Sequence, residues 1–311
     1  MTATATVVDL ERLSRRFGDV PAVDDLTFGV AHGELFGLVG PDGAGKTTTL
    51  RMLAGVLRPT SGDARLNGVS VRRDPERVKH DIAYMSQRFG LYTDLTVLEN
   101  LHFYADLYRV PRRERAERLD RLFGFSNLGP FSHRLAGQLS GGMKQKLGLS
   151  CALIHQPDIL LLDEPTFGVD PISRRDLWLI VHDMVAAGTT AIVSTSYMDE
   201  AERFDRLALL HTGRLLALDT PDALMRSVAG AIIEVRLPRP REARALAMSH
   251  PAVTRAALFG DRLHLTVPTA DVAPVLEAHF AAAGQPVTEI QVIPPSLEDV
   301  FIERIGEAAS S

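Results

Sequence analysis

The sequence predicts an α/β fold: a parallel sheet covered on both faces by helices, carrying a helical insert and followed by a smaller α+β domain. Three observations lead there. Short apolar runs, LFGLV, ILLLD and AIVST, suit strands buried on both faces and alternate with helical patterns. The glycine-rich stretch GPDGAGKT joins the first of these runs to a helix. After about Arg226 the rhythm changes to shorter strands and helices in the order β-α-β-β-α-β with a final helix.

Taken in order, the run from Glu34 is a strand, and KTTTLRMLAGVL continues it as a helix with Leu50, Leu53, Ala54 and Leu57 at helical spacing. Between about 95 and 156 the character is helical, VLENLHFYADLY and RRERAERLDRLFGF each showing an apolar stripe and a charged face. Ile159–Asp163 is the next strand, Arg174–Ala187 a helix and Ala191–Thr195 a further strand. Residues 1–225 thus form one domain and 226–311 a second, in which AIIEVRL, AVTRAALFG, DRLHLTVP and VTEIQVIP are strands. PREARALAMSH and DVAPVLEAHFAAAG are its helices, and Ser296 with Asp299 three residues on starts the last one, SLEDVFIERIG, as a capping box. That order suggests a ferredoxin-like domain. The tail EAASS reads as disordered.

The 311 residues carry 34 basic and 39 acidic side chains, a formal charge of −5, with no basic run to offset it, so a nucleic-acid partner is not indicated. The N-terminal MTATATVVDLERLSRRFG lacks the basic start and apolar core of a signal peptide. No run approaches the roughly 20 apolar residues that span a bilayer. The expectation is a cytoplasmic protein whose membrane link runs through a partner. Cys151, the single cysteine, lies in an apolar helical run and reads as a small buried side chain.

GPDGAGKT, Gly40 to Thr47, fits G-x-x-x-x-G-K-[ST] between a strand and a helix. Backbone N–H groups of Gly40, Pro41, Asp42, Gly43, Ala44 and Gly45, proline excepted, can turn around phosphate oxygens while the helix N-terminus adds its positive end. Lys46 reaches the outer phosphates, and Thr47, followed by Thr48, offers a hydroxyl to Mg²⁺. ILLLDEP places Asp163 and Glu164 at the end of a buried strand, where ligands of α/β sheets collect. Asp163 can hold Mg²⁺ through water and Glu164 can polarise an attacking water, although two acids at a strand end could also cap a helix. LSGGMKQ sets Ser140, Gly141 and Gly142 at the start of a helix, a second set of free N–H donors, whereas one nucleotide needs one cradle.

GPDGAGKTT, LSGGMKQ and ILLLDEP in this order resemble the ATP-binding subunit of an ABC transporter, over roughly residues 6–225. The resemblance implies a P-loop NTPase fold, ATP and Mg²⁺ as ligands, and a second cradle that closes on the ATP of another cassette. It assigns Phe17 to stacking on adenine, where the other reading is a core phenylalanine. It assigns Gln87 to the magnesium ion and the attacking water, and Asp170 to the loop that crosses between cassettes, though Asp170 could equally cap the helix after it. Asp42 departs from the asparagine more usual in this loop. Ser196 departs further, standing where the family carries a histidine that contacts the γ-phosphate. A serine donates one hydrogen bond but brings no positive charge to a transition state rich in negative charge. The resemblance therefore implies a site that binds ATP and turns it over poorly, while Ser196 could also cap the helix of YMDEAERF.

LYTDLTVLENL, DEPTFGVDPISRR, STSYMDEAERFD and PPSLEDVFIERIG resemble the N-terminal half of tandem-cassette ATPases of ABC-2-type exporters, a drug and antibiotic export group. This implies a peripheral subunit on the inner face of the cell membrane, docked on an ABC-2-type permease near Gln87, Leu91 and Tyr92. Its partner would be a second cassette, identical or different. Two other readings stay open: a non-hydrolytic regulatory subunit, and a cassette acting on ribosomes or DNA.

Overall fold

The computed structural model describes residues 5–87 and 90–310. The chain forms two compact units, Met1–Leu215 and Leu216–Ser311. This division falls earlier than the boundary expected at Arg226.

The first unit opens with β1 (Thr6–Phe17), β2 (Val20–Ala31) and β3 (Leu35–Val39), then α1 (Lys46–Leu53), β4 (Ser61–Leu66), β5 (Val69–Ser70), α2 (Pro75–Asp81) and β6 (Ile82–Met85). The helical insert holds α3 (Val97–Leu107), α4 (Arg112–Ser126) and α5 (Gly141–Leu153). After it come β7 (Ile159–Asp163), α6 (Pro171–Ala186), β8 (Thr190–Thr195), α7 (Met198–Ala201), β9 (Arg206–His211) and β10 (Arg214–Asp219), the last of which runs across the division.

Two sheets result. The larger has the order β10-β9-β3-β8-β7-β6, and the pairs β9/β3, β3/β8, β8/β7 and β7/β6 are parallel. Every residue of β3, β7 and β8 is buried, which is why these strands read as unbroken apolar runs. The smaller sheet, β2-β1-β4-β5, is antiparallel and absent from the sequence reading. Its β1/β2 ladder shifts register four times, and Arg12 and Asp25 sit at positive φ of 50° and 57°, so a simple two-residue alternation never builds up. α1 stops at Leu53, short of Leu57, because Gly55 turns the chain with φ 65°. In α3, Thr96 and Glu99 make a reciprocal capping box.

The second unit contains α8 (Pro221–Arg226), β11 (Ala231–Arg236), α9 (Pro240–Met248), β12 (Arg255–Phe259), β13 (Arg262–Val267), α10 (Ala273–Ala282), β14 (Glu289–Ile293) and α11 (Leu297–Ser310). Its sheet order, β12-β13-β11-β14, is antiparallel throughout and is the ferredoxin-like arrangement. Ile233, Val235, Leu263, Leu265, Leu276 and Phe280 lie in its core. α8 belongs to this unit: it packs on α11, and Arg304 donates to the Ser227 hydroxyl at 2.9 Å. The Ser296–Asp299 box is present, with Asp299 N–H donating to Ser296 Oγ at 3.3 Å and Ser296 N–H to Asp299 Oδ2 at 2.9 Å. The tail expected to be disordered is instead helical to Ser310, extended by alanines of high helix propensity and an Arg304–Glu307 pair; Ser311 lies outside the described residues.

Candidate functional site

Four neighbouring parallel strands, β3, β8, β7 and β6, deliver their carboxyl ends to one place. β3 runs into the loop 40–45, β7 ends in Asp163, β8 in Ser194 and Thr195, and β6 is followed by Gln87. A cavity of about 390 Å³ opens there, lined by Ala22, residues 42–48, Gln87, Glu164 and Phe167.

The loop ends at Gly45, which has φ 99° and occupies the N-cap of α1 without any side-chain cap bond. A Cβ on Gly45 would lie 2.6 Å from the Ala22 carbonyl oxygen, so glycine serves both the turn and the close approach of β2. The first-turn N–H groups of α1 are thereby left to an anion. Lys46 is buried, and its Nζ donates to the carbonyls of Gly40 at 2.7 Å and Pro41 at 3.1 Å. The same ammonium pairs with Glu164 Oε1 at 3.2 Å, and Gln87 Nε2 donates to Glu164 Oε2 at 3.2 Å. Cation and amide together hold the Glu164 carboxylate. Thr47 Oγ1 donates to Asp163 Oδ1 at 2.9 Å. A hydroxyl, a carboxylate and an amide oxygen are the hard donors that Mg²⁺ takes, so this group of residues fits the ion.

Three residues that sequence reasoning missed complete the site. Ser194 Oγ donates to Asp163 Oδ1 at 2.8 Å and accepts from the Glu164 N–H at 3.0 Å. Tyr84 donates its hydroxyl to Asp163 Oδ2 at 3.4 Å; burial, then the Asp163 charge, pushes its phenol up to about 12, so it stays a neutral donor. Glu200, buried, accepts from Thr195 Oγ1 at 2.7 Å, Thr166 Oγ1 at 3.0 Å and Trp178 Nε1 at 3.2 Å, tying β8 and the loop after β7 to α6. The available signal was a pair of hydroxyls, Ser194 and Thr195, on an otherwise apolar strand.

Ser196 does not cap the following helix. The N-cap of α7 is Tyr197, without a side-chain cap bond, and Tyr197 N–H donates to Thr195 Oγ1 at 3.0 Å. The Thr195 hydroxyl also donates to Glu200 Oε2 at 2.7 Å, so it braces the turn before α7 rather than capping the helix. The Tyr197 ring turns away under the Arg174 guanidinium, 4.6 Å from it. Phe17 is 50 % exposed and so is not a core residue; one face carries the Arg15 guanidinium at 4.7 Å, and the hairpin after it brings Ala22 to the cavity wall. Cys151 is buried, and burial pushes its thiol up, away from reactivity.

Ser140, Gly141, Gly142 and Asp170 do not line the cavity. They form a second cluster, where the N-termini of α5 and α6 meet. Ser140 caps α5 by accepting from Met143 N–H at 3.3 Å, and Asp170 caps α6 by accepting from Ser173 N–H at 3.0 Å. These bonds to Ser173 hold the Asp170 carboxyl below its ordinary value. A Cβ on Gly142 would fall 2.1 Å from Ser173 Oγ, so this glycine lets the two helices touch. Ser140 and Gly141 face outward.

The family model "ABC transporter" matches residues 23–167, and "ATP-binding protein DrrA1-3-like, C-terminal domain" matches residues 220–305. The chain is 44 % identical over 309 residues to the Escherichia coli (strain K12) protein named "Probable multidrug ABC transporter ATP-binding protein YbhF"; the match takes in 98 % of this chain and 53 % of YbhF, so the chain spans about half the length of that relative. It is 38 % identical to the Nod factor export ATP-binding protein I of Rhizobium sp. (strain N33), over 96 % of this chain and 97 % of that protein. It is 33 % identical to the daunorubicin resistance ATP-binding protein DrrA3 of Streptomyces coeruleorubidus, over 97 % of this chain and 96 % of that protein. A solved ATP-binding subunit of an ABC transporter superposes with a TM-score of 0.65 at 32 % identity, covering 71 % of this chain and 92 % of its own. A dimeric ATP-binding cassette in a post-hydrolysis state with ADP and Pi gives 0.62 at 25 % identity, covering 68 % and 98 %. Among the described residues no helix is long and apolar enough to cross a membrane.

Proposed function

The chain belongs to the ABC transporter ATP-binding family, and from that premise we propose that it is the ATPase subunit of an ABC-2-type exporter, working with a separate membrane permease and a second cassette. Drug or antibiotic efflux is the function of choice, since relatives are named for multidrug transport and daunorubicin resistance. The observation that carries the reading is the joined set Lys46–Glu164–Gln87 and Thr47–Asp163 around one cavity at the carboxyl ends of parallel strands.

ATP enters with its phosphates on the loop 40–45 and the N-terminus of α1, residues 42–48 lining the pocket, and its base on the free face of Phe17. Lys46 gives up carbonyl and carboxylate partners for phosphate oxygens. Mg²⁺ held by Thr47, Asp163 and Gln87 would supply positive charge to the outer phosphates. Glu164 takes the proton of the attacking water, and Gln87, already bonded to it, keeps water and base in line. Ser140 and Gly141 offer outward-facing donors to the γ-phosphate on another cassette, with the buried Gly142 behind them at the start of α5 and Asp170 at the start of α6. Ser196 contributes at most one neutral hydrogen bond to this site, so the chain's own turnover is slow and its partner's site does most of the work. The permease contact lies near Gln87, Leu91 and Tyr92 and places the subunit on the inner membrane face.

Steady-state ATP hydrolysis at rising protein concentration, with Glu164→Gln as the blank, tests the proposal. Low activity per molecule that rises when a cassette bearing the histidine is added is the expected result. A specific activity of the chain alone as high as that mixture would remove the weakened site. Ser196 also favours one second reading, a regulatory subunit that uses ATP only as a clamp. Tight ATP binding with no hydrolysis above the blank in any mixture would select it.

A further inference from the structure

We infer that Ser194 is a positioning residue, whose hydroxyl locks Asp163 and Glu164 into one fixed relation and so determines how strongly Mg²⁺ assists nucleotide binding. The inference rests on reading the cavity as an ATP site.

Ser194 has no exposed surface and stands directly opposite Asp163 in the parallel β7/β8 register. Its single hydroxyl serves both acids: it donates to Asp163 Oδ1 at 2.8 Å and accepts from the Glu164 backbone N–H at 3.0 Å. Each of these bonds answers a local need. Asp163 is buried, and a buried carboxylate costs heavily unless hydrogen-bonded. Glu164 has φ 48°, a left-handed conformation that a side-chain-bearing residue adopts only when its surroundings hold it there. Its N–H also reaches the Ser194 carbonyl at 3.2 Å, so residue 194 clamps the turn by main chain and side chain together.

The consequence for chemistry follows from which oxygen is engaged. Oδ1 of Asp163 is taken by two hydroxyls, Ser194 and Thr47 at 2.9 Å, whereas among the described residues Oδ2 has only the Tyr84 hydroxyl at 3.4 Å. With Oδ1 anchored, the carboxylate cannot rotate, and the weakly held Oδ2 keeps a set direction. The same bond network aims Glu164 toward Lys46 and Gln87 rather than into the core. Removing the hydroxyl frees the metal-side acid and the water-side acid from each other, while the bonds from Lys46 to the Gly40 and Pro41 carbonyls of the phosphate loop do not involve Ser194.

The test compares ATP dissociation constants with Mg²⁺ and with EDTA for the wild-type chain, Ser194→Ala, Ser194→Cys and Ser194→Thr. Metal-free binding draws on the loop and on the Lys46 ammonium, which Ser194 does not contact, and reports that the cavity is folded. Loss of an outer partner to a metal ligand typically weakens metal affinity by ~10–100-fold. Ser194→Ala and Ser194→Cys should therefore lose roughly tenfold of the Mg²⁺-dependent gain in affinity with metal-free binding unchanged, and Ser194→Thr, which retains the hydroxyl, should recover it. An unchanged Mg²⁺ gain in Ala and Cys overturns the assignment. An equal fall of metal-free and Mg²⁺-dependent binding also overturns it, since that marks a role in packing only. A wild-type chain that binds no ATP would overturn the reading of the cavity itself, which the variants' ratios do not mimic.

Discussion

Lys46 Nζ lies 3.2 Å from Glu164 Oε1, so the cation meant for phosphate and the base meant for water neutralise each other across the cavity. Both side chains are almost completely buried, where such a pair interacts strongly but neither group gains from water. A triphosphate entering the loop competes with Glu164 for the same ammonium. Binding and activation of the base are thus one exchange.

Glu164→Gln separates the two roles. It removes the negative competitor, so ATP affinity should rise a few-fold, while loss of the base should lower turnover by ~10²–10⁴-fold. Calorimetric titration of ATP against the variant, beside a single-turnover assay, reads both. An affinity that drops as far as in Lys46→Ala would show that Glu164 holds the loop together instead of competing with the ligand.

Lys46→Ala should abolish measurable nucleotide binding and transport. The buried ammonium donates to two carbonyls of its own loop, so the loss is both of charge and of loop geometry. Transport surviving in this variant would end the exporter-ATPase reading.

The large sheet and the phosphate loop were legible because their signals are local: buried strands are apolar over most of their length, and the loop's glycines and Lys46 fall within one short stretch, Gly40 to Lys46. The antiparallel sheet was not legible, since its register shifts at Leu10/Leu13 and Leu13/Arg15 break the alternation that betrays a strand. Ser194 and Glu200 were hidden for another reason. Their partners, Asp163 and Trp178, are 31 and 22 residues away and meet them only through strand pairing and helix packing. Ser196 shows the opposite error: its place just before the helix suggested a cap, but the N-cap is Tyr197 and α7 begins without a side-chain cap bond.

Ser196→His should raise turnover in the chain's own site. A positively charged donor aimed at the γ-phosphate is worth on the order of 10²-fold, by analogy with removal of a single transition-state donor. The measurement is kcat at saturating ATP and Mg²⁺, with Glu164→Gln/Ser196→His as the blank. A kcat equal to wild type would mean that residue 196 lies out of reach of the phosphate and that the weak-site reading is wrong.

Gly142→Ala and Gly141→Ala should differ although the residues adjoin. A Cβ at 142 meets Ser173 Oγ at 2.1 Å and its Cβ at 2.3 Å, whereas at 141 nothing lies within 4 Å. Forcing α5 from α6 should cost ~1–3 kcal/mol, while the exposed position stays within about 0.5 kcal/mol. Urea unfolding midpoints at constant slope decide it. Equal stabilities would show that the two helices separate without cost.

The second unit should lose stability on both sides of a middle pH range. His264, on β13, contacts Asp299 of α11 at 2.9 Å and Glu234 of β11 at 3.4 Å; Arg262 and Gln291 donate to the same Glu234 at 2.7 and 2.8 Å. Burial alone would lower the imidazole, but the bonds and charges of Asp299 and Glu234 outweigh it and raise the pKa above the ordinary 6.5. For Asp299 and Glu234 burial likewise works against the charge, and His264, Ser296, Arg262 and Gln291 overcome it, holding them below their ordinary 3.8 and 4.5. A raised imidazole means that the fold prefers the protonated form: its contribution is complete below pH 6.5 and fades as pH rises through the folded value. Lowered carboxylates act in reverse, contributing fully above 4.5 and fading as pH falls through their folded values. Amide exchange of β11 and β13 in the full chain should therefore be slowest between these limits, after correction for intrinsic exchange rates, and the protection should weaken toward pH 8. His264→Gln keeps a hydrogen-bonding side chain and no titration, so the alkaline decline should vanish while the acid decline remains. A decline toward pH 8 that persists unchanged in His264→Gln would assign it to another group and leave His264 as packing between sheet and helix.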